Sequence, residues 1–562
     1  MLGEKRRNHK TIRKSGLIIN RIEIYNNKKQ HARQAALCYN TLEEKEIWLI
    51  FITLVFKEEK MKKRKLLSIV LSLALVFSMT AAFTVASSAG DGNDTTVPFV
   101  PANNITVCGK SLDAETPYLY IDKTTNEYVN AANLANYSTG GYVFYNKLGK
   151  LELHNFVLDG SKLVYDTSNH HYYEPITANN DTRPETTTLS IMLFGKNKLY
   201  LSTNGQGAII ANNSVVEINA GDATGSLYSN SYIGGGNGIT INSGTIYLDA
   251  KSSGNSTDPA LNTIGWGGWN KKGAVAIKGG FVTIDGFKKG ITSDEQVSIS
   301  NASLTINNSI DAIWAEAEAS IGSGSVNINN FSGNAIYSND NVNIYGGTVY
   351  ISEYNGNTGN CGNGILADNV NISGQALVTI TDKDEPIGER GITALNNLNI
   401  TGGQLYISGF HSGVFMGPNW KSGGNIVIKD AVVKITAPND GIGGDPDSFT
   451  IENSDVEILS TATVTGKYAF WAAPNIVGNP IIKAGDNKFN AVYVKATDLV
   501  NKYQYVYISK DTSKIWSNIS SAISNIGTLI SGAKIGSLFS SIFTIFKSSK
   551  IFSFLPLLFL LK

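Results

Sequence analysis

Cysteine is scarce: three residues in a chain of 562 leave no room for a disulfide framework. Cys38 stands in the leader, and Cys108 and Cys361 lie far apart in the remainder, so both are read as free thiols. Charge is sparse as well, with Asp, Glu, Lys and Arg making up 17% of the chain and a formal net charge of +1. A nucleic-acid binder concentrates Lys and Arg on one face, so the reading is no nucleic acid. Beyond residue 89 there are only two arginines (Arg183, Arg390), four histidines (His154, His170, His171, His411) and no Asp-Asp pair. Polysaccharide-cleaving enzymes need paired carboxylates, or acidic calcium ligands with a basic residue to abstract a proton. The best cluster of that kind is Asp382, Asp384, Glu385 and Glu389 beside Arg390. It reads more simply as a solvated charged loop, and no catalytic residue is assigned.

Hydrophobic runs long enough to cross a bilayer, about twenty residues, are rare too. "WLIFITLVF" (48–56) is too short. From Met61, "MKKRKLLSIVLSLALVFSMTAAFTVASSAG" has a basic start, an apolar stretch and small residues near Ala89, the pattern of a secretion signal. That pattern predicts an extracellular or cell-surface protein. Lys57-Glu58-Glu59-Lys60 can be encoded by AAG GAG GAA AAA, a bacterial ribosome-binding sequence, so translation is expected to begin at Met61. Peptides from 1–60 in the unprocessed precursor, seen by mass spectrometry, would overturn this.

What the chain does have is glycine, 56 of them, with abundant Asn, Ser and Thr, and a repeat. "NVNIYGGTVYIS" (341–352) returns as "NVNISGQALVTIT" at 369 and "NLNITGGQLYIS" at 397. One apolar column runs Ile277, Ile299, Ile321, Ile344, Ile372, Ile400, Ile428 and Ile451, at spacings of 22, 22, 23, 28, 28, 28 and 23. A second runs Ile284, Ile306, Ile328, Ile351, Ile380, Ile407, Ile435 and Ile458, and a third Ile291, Ile313, Ile336, Ile365, Ile392, Val414, Ile442 and Phe470. Period-two alternation around these positions gives strands with one face in and one out. Three inward strands per turn, repeated over 20–30 residues, predict an all-β right-handed parallel β-helix of three-strand coils. Two residues after the first column stand Gly279, Asn301, Ser323, Gly346, Gly374, Gly402, Asp430 and Asn453, mostly types that tolerate the positive φ of a sharp corner. Asn341, Asn369, Asn397 and Asn425 form a further column, read as a structural amide ladder.

The expected organisation is a leader (1–60), a signal peptide (61–89), a β-rich N-terminal cap (91–185), the β-helix (186–485), closing strands (486–510) and a C-terminal hydrophobic helical tail (511–562). In the tail Ile515, Ile519, Ile523, Ile526 and Ile530 recur at helical spacing, followed by apolar runs of about ten residues. Association of the tail with a membrane surface is favoured over its docking onto the solenoid end. The chain is read as a monomer.

The residue after each third-column position should point outward: Thr292, Trp314, Tyr337, Leu366, Thr393, Phe415, Gly443 and Trp471. Aromatic rings in such a column offer flat apolar plates to sugar rings. Trp314, Tyr337, Phe415 and Trp471, with Trp420 in the loop "MGPNWKSGG" (416–424), are therefore the candidate carbohydrate-binding residues; Trp266 and Trp269 are further aromatics. "DGIGGDPD" (440–447) suggests a calcium loop through Asp440, Asp445 and Asp447, and calcium is the one candidate ion.

The "GI…V-x-I-x-G-G-x-V-x-I" repeat, as at 364–380 and 391–407, resembles a clostridial-type family of secreted carbohydrate-binding proteins with a pectate-lyase-like β-helix, over about residues 186–485. Asp440-Gly441-Ile442 matches the Asp-Gly-Ile that members repeat, with Asp311-Ala312-Ile313 close. The resemblance implies non-catalytic binding of plant cell-wall polysaccharide, acidic sugars included, with calcium. Two other classes stay open at this stage: a polysaccharide lyase or hydrolase, and a surface adhesin or spike.

Overall fold

The computed structural model describes residues 99–510 apart from 164, 167–170, 173, 179–185, 202–206, 252–257, 264–272, 354–360, 383–387, 418–422 and 462–465. The chain divides into two units, Met1–Val97 and Pro98–Lys562, and every described residue belongs to the second. The leader, the signal segment and the helical tail expected over 511–562 lie outside the described residues.

Among the described residues the only helical elements are two 3-10 turns, Gly160–Lys162 and Ala496–Asp498, and the remainder is strand and turn. From Thr187–Phe194 to Ile336–Ser338, each strand pairs in parallel with the strand three places later in the chain. The described residues form an all-β solenoid whose sides are three stacks of parallel strands. Backbone N–H and C=O groups of each coil are satisfied by the coils before and after it, so only the two ends leave strand edges to be covered.

The three apolar columns are in register. Ile321, Ile344, Ile372, Ile400 and Ile428 are successive cross-strand partners. So are Ile328, Ile351, Ile380, Ile407 and Ile435 in the second stack. In the third, Ile313, Ile336, Ile365, Ile392, Val414 and Ile442 pair in turn, and a single bridge adds Phe470. All of these side chains are buried. Burying an aliphatic side chain contributes about 1.5–3 kcal/mol, and here each one also rests on like shapes in the coils above and below.

Corners follow the predicted chemistry with one shift. Asn301, Gly374, Gly402, Asp430 and Asn453 have positive φ, but in three coils the positive φ falls one residue later, on Gly280, Gly324 and Gly347. Those coils carry a second glycine or a Ser-Gly pair, and the glycine takes the left-handed position because it has no Cβ to clash. The amide ladder is present: Asn369 Nδ2 donates to Asn341 Oδ1 at 3.1 Å, Asn397 to Asn369 at 2.7 Å and Asn425 to Asn397 at 3.0 Å. A second ladder, unforeseen, runs beside it from Asn399 through Asn371 to Asn343 at 2.9 and 2.7 Å.

Parallel stacking also reaches into the stretch read as the opening cap. Lys150–His154 pairs in parallel with Thr187–Phe194, and Ile176–Ala178 with Ile209–Ala211. Before Lys150 the strands pair antiparallel, Tyr118–Ile121 joining both Tyr128–Ala131 and Tyr142–Tyr145, and a single parallel bridge joins Pro101 to Thr188. At the other end Tyr505–Ile508 lies antiparallel against Asp455–Ser460 and against Ile482–Gly485, closing the second stack. Cys108 is free and buried, and burial pushes its thiol well above the usual range.

The residue just before the third column is always small: Gly290, Ala312, Ala335, Gly364, Gly391, Gly413, Gly441 and Ala469. A Cβ on Gly413 would stand 2.2 Å from Ile435 Cγ2, and one on Gly441 2.0 Å from Ile458 Cγ2. The position faces inward at a corner, where the second-column isoleucine of the following coil already fills the space. Gly441→Ala is expected to cost about 1–3 kcal/mol by overpacking, read as a lower midpoint in denaturant unfolding.

Candidate functional site

Trp314 and Tyr337 sit on neighbouring strands, Asp311–Ala315 and Ile336–Ser338, and are direct cross-strand partners. Alternation puts Ile313 and Ile336 inside, so the next residue of each strand points out. Both rings are half-buried, with centroids 4.2 Å apart and planes inclined by 38°. Contacts of this kind add about 0.5–1.5 kcal/mol beyond area burial.

A polar circuit holds the two rings. The Trp314 Nε1–H donates to Glu316 Oε1 at 2.7 Å, the Tyr337 hydroxyl donates to Asn339 Oδ1, and Asn339 Nδ2 donates to Glu316 Oε2. Each ring is thus tied two residues along its own strand, and the two ties meet at the Glu316 carboxylate. Side chains fixed in this way lose little further entropy when a ligand binds. Lys289 Nζ, one coil earlier, stands 3.9 Å from the centroid of the Trp314 ring. Its long flexible stem can swing aside, whereas Tyr337 is held in place.

Burial, and then the negative charges of Glu316, Asp368 and Asp311, raise the Tyr337 phenol above its ordinary value of 10.0. The phenol therefore stays protonated, and its donation to Asn339 persists, past the pH at which a free tyrosine ionises. If the pair holds a ligand, affinity falls only at a pH higher than that at which a free tyrosine ionises. A Tyr337→Phe variant, tested by the same pH titration, shows no such phenol-dependent fall.

The other candidates fare differently. Phe415 is outward in register, but it is buried to 1% exposure and the Arg390 guanidinium carbon lies 3.9 Å from its ring centroid. It is a covered ring, not an open plate, and the expectation that it stacks on sugar is corrected. Burial lowers the Arg390 pKa, with Glu389 opposing. Trp471 is half-buried, and its backbone N–H donates to the Ile442 carbonyl at 3.0 Å. Trp420, Trp266 and Trp269 lie outside the described residues, as do Asp384 and Glu385. Asp382 is buried and in register with buried Glu353 of the preceding coil.

Asp440, Asp445 and Asp447 are not gathered. Asp440 is 2% exposed and accepts the Tyr468 backbone N–H at 3.2 Å, with Lys467 Nζ at 3.6 Å. Asp445 and Asp447 are exposed, and Asp447 accepts the Gly424 N–H at 3.2 Å. Among the described residues no group of three His, Cys, Asp or Glu is placed to hold a metal ion. The Asp of Asp-Gly-Ile has a clear structural task instead. Asp311 accepts the Asn334 N–H at 2.9 Å, Asn334 Oδ1 accepts the Asn363 N–H at 3.2 Å, and Asp440 does the same for Tyr468. Each side chain caps the backbone of the corresponding residue one coil on, a role that spacing alone did not reveal.

Residues 163–359, which include both tied rings, match a family model described as carbohydrate-binding domain-containing protein. The match supports carbohydrate binding by this part of the chain. Comparison with curated proteins and with solved structures gives no match.

Proposed function

We propose that the protein is a non-catalytic polysaccharide-binding module, a pectate-lyase-like right-handed parallel β-helix that presents sugar-stacking aromatics on its third side. The observation that carries this is the Trp314–Tyr337 pair, fixed by its own hydrogen-bond circuit inside the segment that matches the carbohydrate-binding family model. Right-handedness follows from the near-universal sense of parallel crossovers. The signal segment at 61–89 supports action outside the cell, on polymers of plant cell-wall type, and the apolar tail supports attachment at the membrane surface. Antiparallel strands lie on Lys150–His154 at one end and on Asp455–Ser460 at the other, which leaves fewer edges to pair with a second copy and favours a monomer. A glycan array probed with and without calcium tests the reading. Binding to one class of polysaccharide without release of shortened products supports it; product release from pectin, pectate or xylan replaces it with an enzyme.

A further inference from the structure

Charge along the solenoid is segregated. From Gly290 to Asp382 there is no Lys, Arg or His in 93 successive residues, while nine carboxylates fall in the same span. These coils include Trp314 and Tyr337. The carboxylates nearest the rings are arranged along one side: Asp294 and Glu295 leave the third strand of one coil, Glu316 and Glu318 the next, Asp340 and Asp368 the two after. All are at least partly exposed, and their field already acts on the Tyr337 phenol through Glu316 and Asp368. Lys289, which precedes the span, lies over Trp314, and Arg390, on a later coil, lies over Phe415; Lys383, which follows the span, lies outside the described residues.

We propose that the Trp314–Tyr337 platform selects an uncharged, hydroxyl-rich polysaccharide and rejects polyuronates. This rests on the reading of the pair as the glycan site. A neutral sugar laid on the rings meets acceptors for its hydroxyls at Glu316, Asn339 and Asp368. A uronate chain brings one carboxylate per sugar against a ridge of like charge whose neighbouring ammonium, Lys289, already lies over Trp314, and specificity against a competitor is commonly built from such repulsion. No cluster of three acidic or histidine ligands is available among the described residues to bridge the two with calcium.

The test is calorimetric titration of the full-length protein with the tightest-binding neutral hexasaccharide from the array and with an oligogalacturonate of equal length. Each is run at about 0.01 M and about 1 M salt, where the Debye length is about 30 Å and about 3 Å. The neutral ligand is expected to bind equally at both salts. The uronate is expected to bind at least about tenfold more weakly at low salt, with the gap closing at high salt and narrowing in a Glu318→Gln, Asp340→Asn variant. Uronate binding at low salt as tight as neutral binding, with or without calcium, and lost in Trp314→Ala, Tyr337→Ala, overturns the selectivity while leaving the site intact. Loss of that uronate binding in Lys289→Gln identifies the ammonium as its receptor and overturns it equally. If no ligand's affinity changes in the double alanine variant, the site itself is misplaced and the selectivity falls with it.

Discussion

Trp314→Ala combined with Tyr337→Ala is expected to abolish measurable polysaccharide binding while leaving the protein folded. Aromatic residues at the centre of a binding surface commonly cost 2 kcal/mol or more each on truncation, about thirtyfold in affinity. The two rings touch, so their losses are not additive; the pair is expected to cost about 3–4 kcal/mol, or roughly 150- to 900-fold. The stability cost is a separate quantity. Both rings lie outside the apolar columns and are only half-buried; the fold loses one ring contact, worth about 0.5–1.5 kcal/mol, the Lys289 cation–π contact, about 0.5–1 kcal/mol, and the hydrogen bonds to Glu316 and Asn339, about 0.5–1.5 kcal/mol each, but no core packing. Affinity electrophoresis or calorimetry beside a thermal melt separates the two effects. A variant that binds like the parent removes the site; one that fails to melt cooperatively shows the rings to be structural.

Ile372→Ala is the opposite case, a large loss of stability with no direct effect on the ligand surface. Ile372 is fully buried between Ile344 and Ile400. Deleting its outer carbons leaves a cavity that neighbours on two sides, each held by its own ladder, close poorly. The expected cost is about 2–5 kcal/mol, against about 0.5–1.5 kcal/mol for Ile372→Val. Because each coil contacts only its neighbours, the damage is local, and hydrogen exchange should rise in the coils around residue 372 before it rises at Ile299. Equal exchange throughout, with a loss under about 1 kcal/mol, would mean the column is not the core.

The columns were legible from Ile277 onward because successive members are 22–29 residues apart and nearly all isoleucine. Upstream the same columns exist but are disguised. The first continues through Ile241, Ile218, Ile191 and Leu151, with gaps of 36 and 40 residues where the path lengthens. The second contains Ser229, a buried hydroxyl between Leu199 and Leu248 that donates to the Leu199 carbonyl at 3.0 Å. A satisfied serine in a core column has no apolar signature, so periodicity alone passes over it.

At the site, alternation identified Trp314 and Tyr337 as outward neighbours, and the structure places them in contact. The same alternation misjudged Phe415, because facing outward does not prevent a side chain of the preceding coil, here Arg390, from lying over the ring. The Glu316–Asn339 circuit was not foreseen. It depends on residues two places along each strand meeting across coils, which requires the register to be known. Asp440, Asp445 and Asp447 were grouped because they are close in sequence, but the corner turns them apart, and the first is committed to the Tyr468 backbone.

The most direct measurement is a crystal structure of the protein with its preferred neutral oligosaccharide. The account predicts a pyranose ring packed against Tyr337 and Trp314, with Lys289 displaced from the indole and sugar hydroxyls donating to Glu316 or Asp368. Ordered sugar on another side of the solenoid, with Lys289 still lying over Trp314, contradicts it.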